Sequence, residues 1–512
     1  MRLNCNHDLK FQGITAIRAV SDSHQETRKE AQLISRVIKQ SKTKDNILFL
    51  NCGDLFCGVY PRESMIDTYL KFKELAPNVE IVATIGNNDS ISQKDKYFNS
   101  NKALQYNSID FLKKTIEKFE SKGINVVCSN IVDKTTNNYP GWIKPYSIVE
   151  RDGDRIFISG FCIDRLDNKA LNINVLSNSE AINKLQQYIE LEKPDSVIIL
   201  NHDYLDSSVN IHSLFHPDLI IGGHDHNRIP MDKKRRIFYP GSFSSSMFEI
   251  DLKIKDNVSK ILSLNEIKTE NVKILPELDK LVSYYEKDCK LNEVIAQSTL
   301  DLAKLYAHPC ALGGFLADGI KDKTESDIAF FASNIIRVPL RYKENGNIKN
   351  YDLRKVITFD STIQKAELNT DALKEVFNSA LRNRVLLGEQ NSTFLQFSTN
   401  VGVEVDIDKI NKTCTLKQIY INNTPLLDDN QNPIYPDKKF ICAFDNFIPN
   451  DNRSKLLQEA KKEDFKDENY NNYRFDKLLF ELLQEAPKKY EKGMVYPSFK
   501  LIEKNIEQKA VL

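Results

Sequence analysis

The chain has 512 residues, 41% of them hydrophobic and 28% charged, a globular balance whose length predicts two large domains rather than one core. Lys+Arg and Asp+Glu both number 71, so no global basic field draws in nucleic acid or an anionic membrane surface. No signal-like stretch opens the sequence, no run suits a bilayer span, and the nine cysteines are scattered without CxxC spacing, which together lead us to expect reduced thiols and a cytoplasmic protein.

Short apolar runs alternate with amphipathic stretches along the first half, the signature of an α/β fold. "ITAIRAVSDSH" predicts a strand entering a loop, and "TRKEAQLISRVIKQSK" a helix. "NILFLNCGD" is a second strand, "PRESMIDTYLKFKEL" a helix, and "VEIVATIGNND" a third strand. Further strands follow in "INVVCSN", "DRIFISGF", "SVIILNHD" and "DLIIGGHDH". The stretch from "IFYPGSFSSSMFEIDLKI" to "NEIKTENVK" reads as the last strands of a first domain, residues 1–270. "LPELDKLVSYYEKDCKLNEVIAQST" has helical periodicity and suits a linker helix within 271–299. A second, smaller mixed α/β domain is expected over 300–512, with "ALGGFLADGI", "DIAFFAS", "DLRKVITF" and "DALKEVFNSALRNRV" as its clearest elements and a charged, helix-like tail.

The polar groups gather just past the carboxyl ends of five strands, where open α/β sheets build their sites. In order they are Asp22 and His24 in "SDSH", Asp54 in "CGDLFCG", Asn87 in "GNND", His202 in "LNHD", and His224 with His226 in "GGHDH". Each motif alone is weak, since Asn-rich turns and strand-end histidines are common. Five in succession are not. Carboxylate, imidazole and carboxamide groups suit divalent transition metals, and two ions about 3.5–4 Å apart need a bridging carboxylate, for which Asp54 is the natural choice.

Asp-x-His, Gly-Asp, Gly-Asn-x-Asp, His and Gly-His-x-His in this order resemble the calcineurin-like metallophosphoesterases. "LGGFLADGIKDKTESDIAFFASNIIR", "DLRKVITFDSTIQKAELNTDALKEVF" and "FLQFS" are similar to the C-terminal domain of the 5'-nucleotidase group, so the resemblance runs from about Ile14 to Phe447. It implies a β-sandwich flanked by helices in the first domain and a hydrolase acting on a small phosphoester, such as a nucleotide or a 2',3'-cyclic nucleotide. Two divalent ions would be present, with Mn, Zn, Fe, Co and Ni all acceptable. One would be held by Asp22, His24, Asp54 and His226, the other by Asp54, Asn87, His202 and His224, and a metal-activated hydroxide would attack phosphorus. The second domain would grip the nucleoside and carry it to the metals.

The sequence departs from that family at the acid. The family reads Gly-Asn-His-Glu/Asp, and the His stabilises the transition state or protonates the leaving oxygen; here the residue is Asn88, and the His's partner Asp is replaced by Ile91. A carboxamide donates a hydrogen bond but delivers no proton near neutral pH, a loss that typically costs on the order of 10²–10⁴ in rate. Asp89 and Asp203 are conceivable substitutes, and the polar stretch from Ser90 to Ser108 could lend another residue.

In the second domain Arg337 keeps its place in "ASNIIR", but Ala332 stands where the family has a polar Asn. Phe359 matches a base-stacking aromatic, while "DNFIPNDNRSKLL" lacks the glycines and ring of the second. Three readings follow: a hydrolase with altered substrate choice, a weakly catalytic metal- and nucleotide-binding interaction protein, and a nuclease-like enzyme, which the zero net charge disfavours.

Overall fold

A run buried at every position, as Ile47–Cys52 is, needs packing on both faces and strand neighbours on both edges. The computed structural model describes residues 14–90, 108–151, 153–166, 171–232, 236–255, 257–305, 308–342, 346–358, 361–387, 394–408, 411, 413–448 and 454–505. The chain divides into two compact units, Met1–Cys289 and Lys290–Leu512.

The large sheets of the first unit contain β1 (Ile14–Val20), β2 (Ile47–Cys52), β3 (Glu80–Thr84), β4 (Ile124–Val126), β5 (Tyr146–Arg151) and β6 (Asp154–Cys162). They continue with β7 (Ser196–His202), β8 (Leu219–Gly222), β9 (Arg228–Asp232), β10 (Ile237–Pro240), β11 (Ser246–Lys255) and β12 (Val258–Lys268). One sheet runs β12-β11-β1-β2-β3-β4 and the other β9-β10-β8-β7-β6-β5. Ile17, Leu48 and Val82 of the first share one buried cluster with Ile156, Ile198, Leu219 and Phe238 of the second, which makes the pair a β-sandwich. Each of these side chains, taken out of water, contributes roughly 1.5–3 kcal/mol.

The same unit carries the helices α1 (Thr27–Ser41), α2 (Arg62–Leu75), α3 (Ser108–Glu120), α4 (Asn178–Glu192), α5 (Leu205–Phe215) and α6 (Pro276–Asp288). Alternation along the strands sends every second side chain outward to helices of this set. Phe49 meets Tyr69 and Phe72 of α2. On the other sheet Phe157, Ile199 and Ile220 pack with Ala181 and Leu185 of α4 and Ile211 of α5. The motif S-x-x-E at Ser177–Glu180 caps α4 as a reciprocal capping box.

The strands that matter for the site are parallel, and their carboxyl ends are level: Val20 pairs with Asn51, Cys52 with Thr84, Gly222 with Asn201 and Cys162 with His202. Six loops therefore follow these level strand ends, those after β1, β2, β3, β6, β7 and β8.

The helix expected within 271–299 closes at Asp288, because Lys290 adopts the left-handed region (φ 50°) and Val294–Gln297 is a strand paired antiparallel with Asn347–Lys349. In the second unit a five-stranded sheet centred on Ile328–Ala332 and Lys439–Asp445 shares a core with the helix Thr370–Leu387 and a four-stranded sheet. The tail is not purely helical: after the helix Phe475–Lys489 comes a strand, Lys500–Asn505, parallel to Val401–Asp408. No described helix is long and apolar enough to cross a membrane.

Candidate metal centre

The loops after β1, β2 and β8 turn sharply. Asp22, His24, Asp54, His224 and His226 all have positive φ, between 45° and 72°. Non-glycine residues rarely adopt that region, and such strain gathers where surrounding contacts fix it at functional sites. Here backbone bonds do so: Asp22 N donates to Gly53 O (3.1 Å) and His24 N to Asp54 O (2.9 Å). Behind these loops the buried Glu30 carboxylate accepts hydrogen bonds from Ser23 (3.0 Å), Tyr69 (2.7 Å) and Ser244 (2.8 Å). Two glycines make room. A Cβ on Gly53 (φ +82°) would lie 2.8 Å from His202 Nδ1, and one on Gly86 would collide with the Asp54 carboxylate.

The expected first-domain residues come together. His24 Nε2 and His226 Nε2 are 2.9 Å apart, with Asp22 Oδ1 at 3.9 Å from the first and 3.6 Å from the second. Atoms bound to one ion at about 2.0–2.2 Å lie some 3–3.5 Å from one another, so this group is close to a coordination shell. Asp54 Oδ2 faces His24 Nε2 at 3.8 Å on one side and His202 Nε2 at 3.3 Å on the other. His224 Nδ1 and Asn87 Oδ1 are 2.9 Å apart. His202 Nδ1 is engaged by the Cys52 carbonyl at 2.7 Å, which fixes the ring and turns the buried Nε2 toward Asp54 Oδ2 at 3.3 Å. A buried ring nitrogen aimed at a carboxylate cluster is what a divalent ion would satisfy. Asp22 belongs to both tight groups, Asp22 with His24 and His226, and Asp22 with Asp54 and His202, so it sits more centrally than the sequence suggested.

Electrostatics prepares these groups unequally. Burial pushes the Asp22 carboxyl above its usual range, with Asp54 adding to the push and His202 opposing it. Burial acts the same way on Asp54, but His202 and His24 outweigh it and hold that carboxyl well below the usual range. Burial works against the charged form of His202 too, yet Asp54 and Asp22 raise it to about 10, whereas burial and the charge of His202 drive His224 down to about 3. His224 is thus ready as a neutral ligand, while an ion entering beside His202 would displace its proton.

Asn88 is buried, and its side chain turns onto the same carboxylate: backbone N donates to Asp54 Oδ1 (2.8 Å) and Nδ2 to Asp54 Oδ2 (2.5 Å). Asp89 clasps the loops, accepting from the backbone N–H groups of Asp54 (3.1 Å), Gly86 (2.8 Å) and Phe56 (3.0 Å), while burial and the Asp54 charge push its carboxyl up to about 7. Asp203 folds back on Tyr204 N at 2.7 Å. Sequence reasoning missed Phe243, which packs against His24 and His226 with ring centroids at 5.2 and 5.4 Å, and the Arg165–Tyr204 pair beside His224. Arg165 follows a strand end, in "FCIDRLDN", so the rule that found the other residues could have found it.

In the second unit Arg337 is partly exposed, its backbone N donating to Val356 O (2.8 Å) and its carbonyl accepting from Lys304 Nζ (3.1 Å). Ala332 is buried, and its N–H donates to Asp445 Oδ2 at 2.8 Å. Phe359, Ile91 and the rest of residues 91–107 lie outside the described residues. All eight described cysteines, Cys52 and Cys57 among them, are unbridged.

The family model for calcineurin-like phosphoesterases matches residues 15–228, and that for the 5'-nucleotidase C-terminal domain matches residues 290–457. No curated protein matches the chain in sequence. Among solved structures, a 5'-nucleotidase precursor from Thermus thermophilus superposes with a TM-score of 0.71 at 16% identity, covering 96% of this chain and 99% of its own. A 5'-nucleotidase from Candida albicans gives 0.64 at 13% identity, covering 93% and 98%. The sulfate thiohydrolase SoxB from Thermus thermophilus gives 0.66 at 12% identity, covering 94% and 83%. These likenesses establish the fold. With both halves matched in this order, the chain belongs to the calcineurin-like metallophosphoesterases of the 5'-nucleotidase family, a family of phosphoester hydrolases.

Proposed function

We propose that this protein hydrolyses a small phosphoester, a nucleotide or a close relative, at a pair of divalent cations shared by Asp54. The observation that carries the reading is the position of Asp54 Oδ2 between His24 and His202. Asp22, His24 and His226 would complete one cation's ligands, and Asn87, His202 and His224 the other's. When bound, such ions supply charge neutralisation and a water nucleophile at neutral pH. The chain's own part is to hold the ligands on strained, clasped loops and to keep them buried. The scattered cysteines, without CxxC spacing, support our reading of a reducing, cytoplasmic setting.

Asn88 delivers no proton, so we expect substrates whose leaving oxygen needs none, such as aryl phosphates or pyrophosphate bonds. The test is a panel of nucleotides and aryl phosphates on the Mn²⁺-loaded protein, with Asp54→Asn as control. Turnover that disappears in the variant supports the reading. Intact Mn²⁺ binding with no turnover of any phosphoester would replace it with the binding-protein reading, which the Asn88 bond to Asp54 favours.

A further inference from the structure

Arg165 stands just past the end of β6, whose last residue, Cys162, is level with His202. Its side chain is exposed and makes no ion pair among the described residues. Its guanidinium lies over the Tyr204 ring, 5.6 Å from the centroid. Tyr204 meets His224 edge-on with centroids 4.7 Å apart. The ring attracts the guanidinium to its face and leaves the N–H edges open. Tyr204 thus bridges the guanidinium and the ring of His224, a candidate ligand, and so places Arg165 beside the cation cluster.

Where the family has a histidine, this chain has Asn88, which is uncharged and turned onto Asp54. Arg165 is a cation beside this site that is not itself a candidate ligand. We propose that Arg165, held on Tyr204, binds the phosphoryl oxygens of the substrate and stabilises the negative charge that grows on them as the ester bond breaks. This rests on the phosphoester-hydrolase reading. In that reaction the water oxygen bonds to phosphorus, the phosphorus–oxygen bond to the leaving group breaks with its electron pair, and the water proton passes to the departing oxygen or to solvent. Arg165 takes no part in the proton transfer, and its planar fork matches two phosphoryl oxygens at once. Tyr204 is a positioning residue.

The experiment uses the full chain loaded with Mn²⁺ and two readouts, orthophosphate affinity by calorimetry and kcat/KM on an aryl phosphate. Arg165→Gln should weaken orthophosphate binding about tenfold or more and lower kcat/KM on the order of 10²–10³-fold, as loss of a charge-stabilising donor does. Arg165→Lys should recover only part, because an ammonium has no fork. Tyr204→Phe should stay near the wild type, and Tyr204→Ala should show a weaker version of the Arg165→Gln defect. Mn²⁺ affinity should be unchanged in all four.

Three results overturn the proposal: orthophosphate affinity within twofold of wild type in Arg165→Gln, a fall in Mn²⁺ affinity in that variant, or a wild-type protein that takes up Mn²⁺ but no orthophosphate. If the wild type turns over no aryl phosphate, the hydrolase reading fails on its own, and orthophosphate affinity alone then decides the role of Arg165.

Discussion

The loops around Asp54 and the segments around Arg337 descend from equally recognisable motifs, yet they have fared differently. Around Asp54 every expected ligand residue is present, and three of them are held by further contacts: His202 by the Cys52 carbonyl, Asp54 by the Asp89 clasp, His224 N by Asp22 at 3.0 Å. Around Arg337 the polar Asn has become a buried Ala332, and the second ring motif is missing. A half-exposed ring, Phe447 at 49%, stands in the segment that should have carried it, without the glycines that accompany the family motif. A metal pair tolerates no missing ligand, whereas a nucleoside grip can be exchanged one contact at a time. The difference teaches that this chain keeps the residue types of the family's metal-binding motifs while it has changed those of the acid and of the nucleoside-contacting motifs.

The sharpest way to break this contrast is Asp54→Asn. Removing the shared carboxylate should abolish binding of the second Mn²⁺ and lower turnover on the order of 10³-fold or more, since such ions supply several kcal/mol of transition-state stabilisation. Calorimetric stoichiometry and initial rates on an aryl phosphate check it. Full activity with one ion per chain would show that Asp54 is not the bridge.

Asn88→His should have the next largest effect, and in the favourable direction. Restoring a general acid should raise hydrolysis of alkyl monoesters by about 10² while changing aryl phosphates much less, because only poor leaving groups need the proton. The same substitution also removes the Nδ2 contact to Asp54. Equal effects on both substrate classes would mean that Asn88 acts only through that contact.

Gly53→Ala tests the further contacts that hold His202. The new Cβ would lie 2.8 Å from His202 Nδ1 in a backbone conformation (φ +82°) that alanine resists. Mn²⁺ affinity should fall roughly 10–100-fold, the usual range for disturbed outer-layer contacts. Titration of Mn²⁺ into the metal-free variant measures it, and unchanged affinity would show that the loop relaxes around the methyl group.

Much of this site was legible in the sequence because strand ends are legible. Continuous apolar runs announce buried parallel strands, and topology then brings their carboxyl ends together, so Asp22, Asp54, Asn87, His202, His224 and His226 could be named from position alone. The sandwich likewise followed from the family motifs. What escaped was decided by side-chain direction. Nothing in "GNND" says that the Asn88 amide turns inward to Asp54 or that Asp89 ties three backbone N–H groups, and Phe243 reaches His24 from a loop more than 200 residues away. The end of the helix at Asp288 was hidden for another reason: its charged, periodic pattern continues past the residue, Lys290, whose left-handed backbone stops it.

Arg337→Ala should give the smallest effect, and it tests the second region. The backbone bonds of Arg337 to Val356 and Lys304 do not involve its side chain, so the fold of the second unit should survive the truncation. The side chain is partly solvated, which weakens any charge-assisted contact it makes to a ligand. If it still grips substrate, KM for a nucleotide should rise about 3–10-fold with kcat unchanged, the pattern of a contact that is equally strong in ground and transition states. The compact aryl phosphate, which needs no nucleoside grip, should be hydrolysed as before. Steady-state kinetics on both substrates separate the cases. A fall in kcat on the aryl phosphate would erase the contrast between the two regions, because Arg337 would then take part in the chemistry that we assign to the Asp54 loops alone.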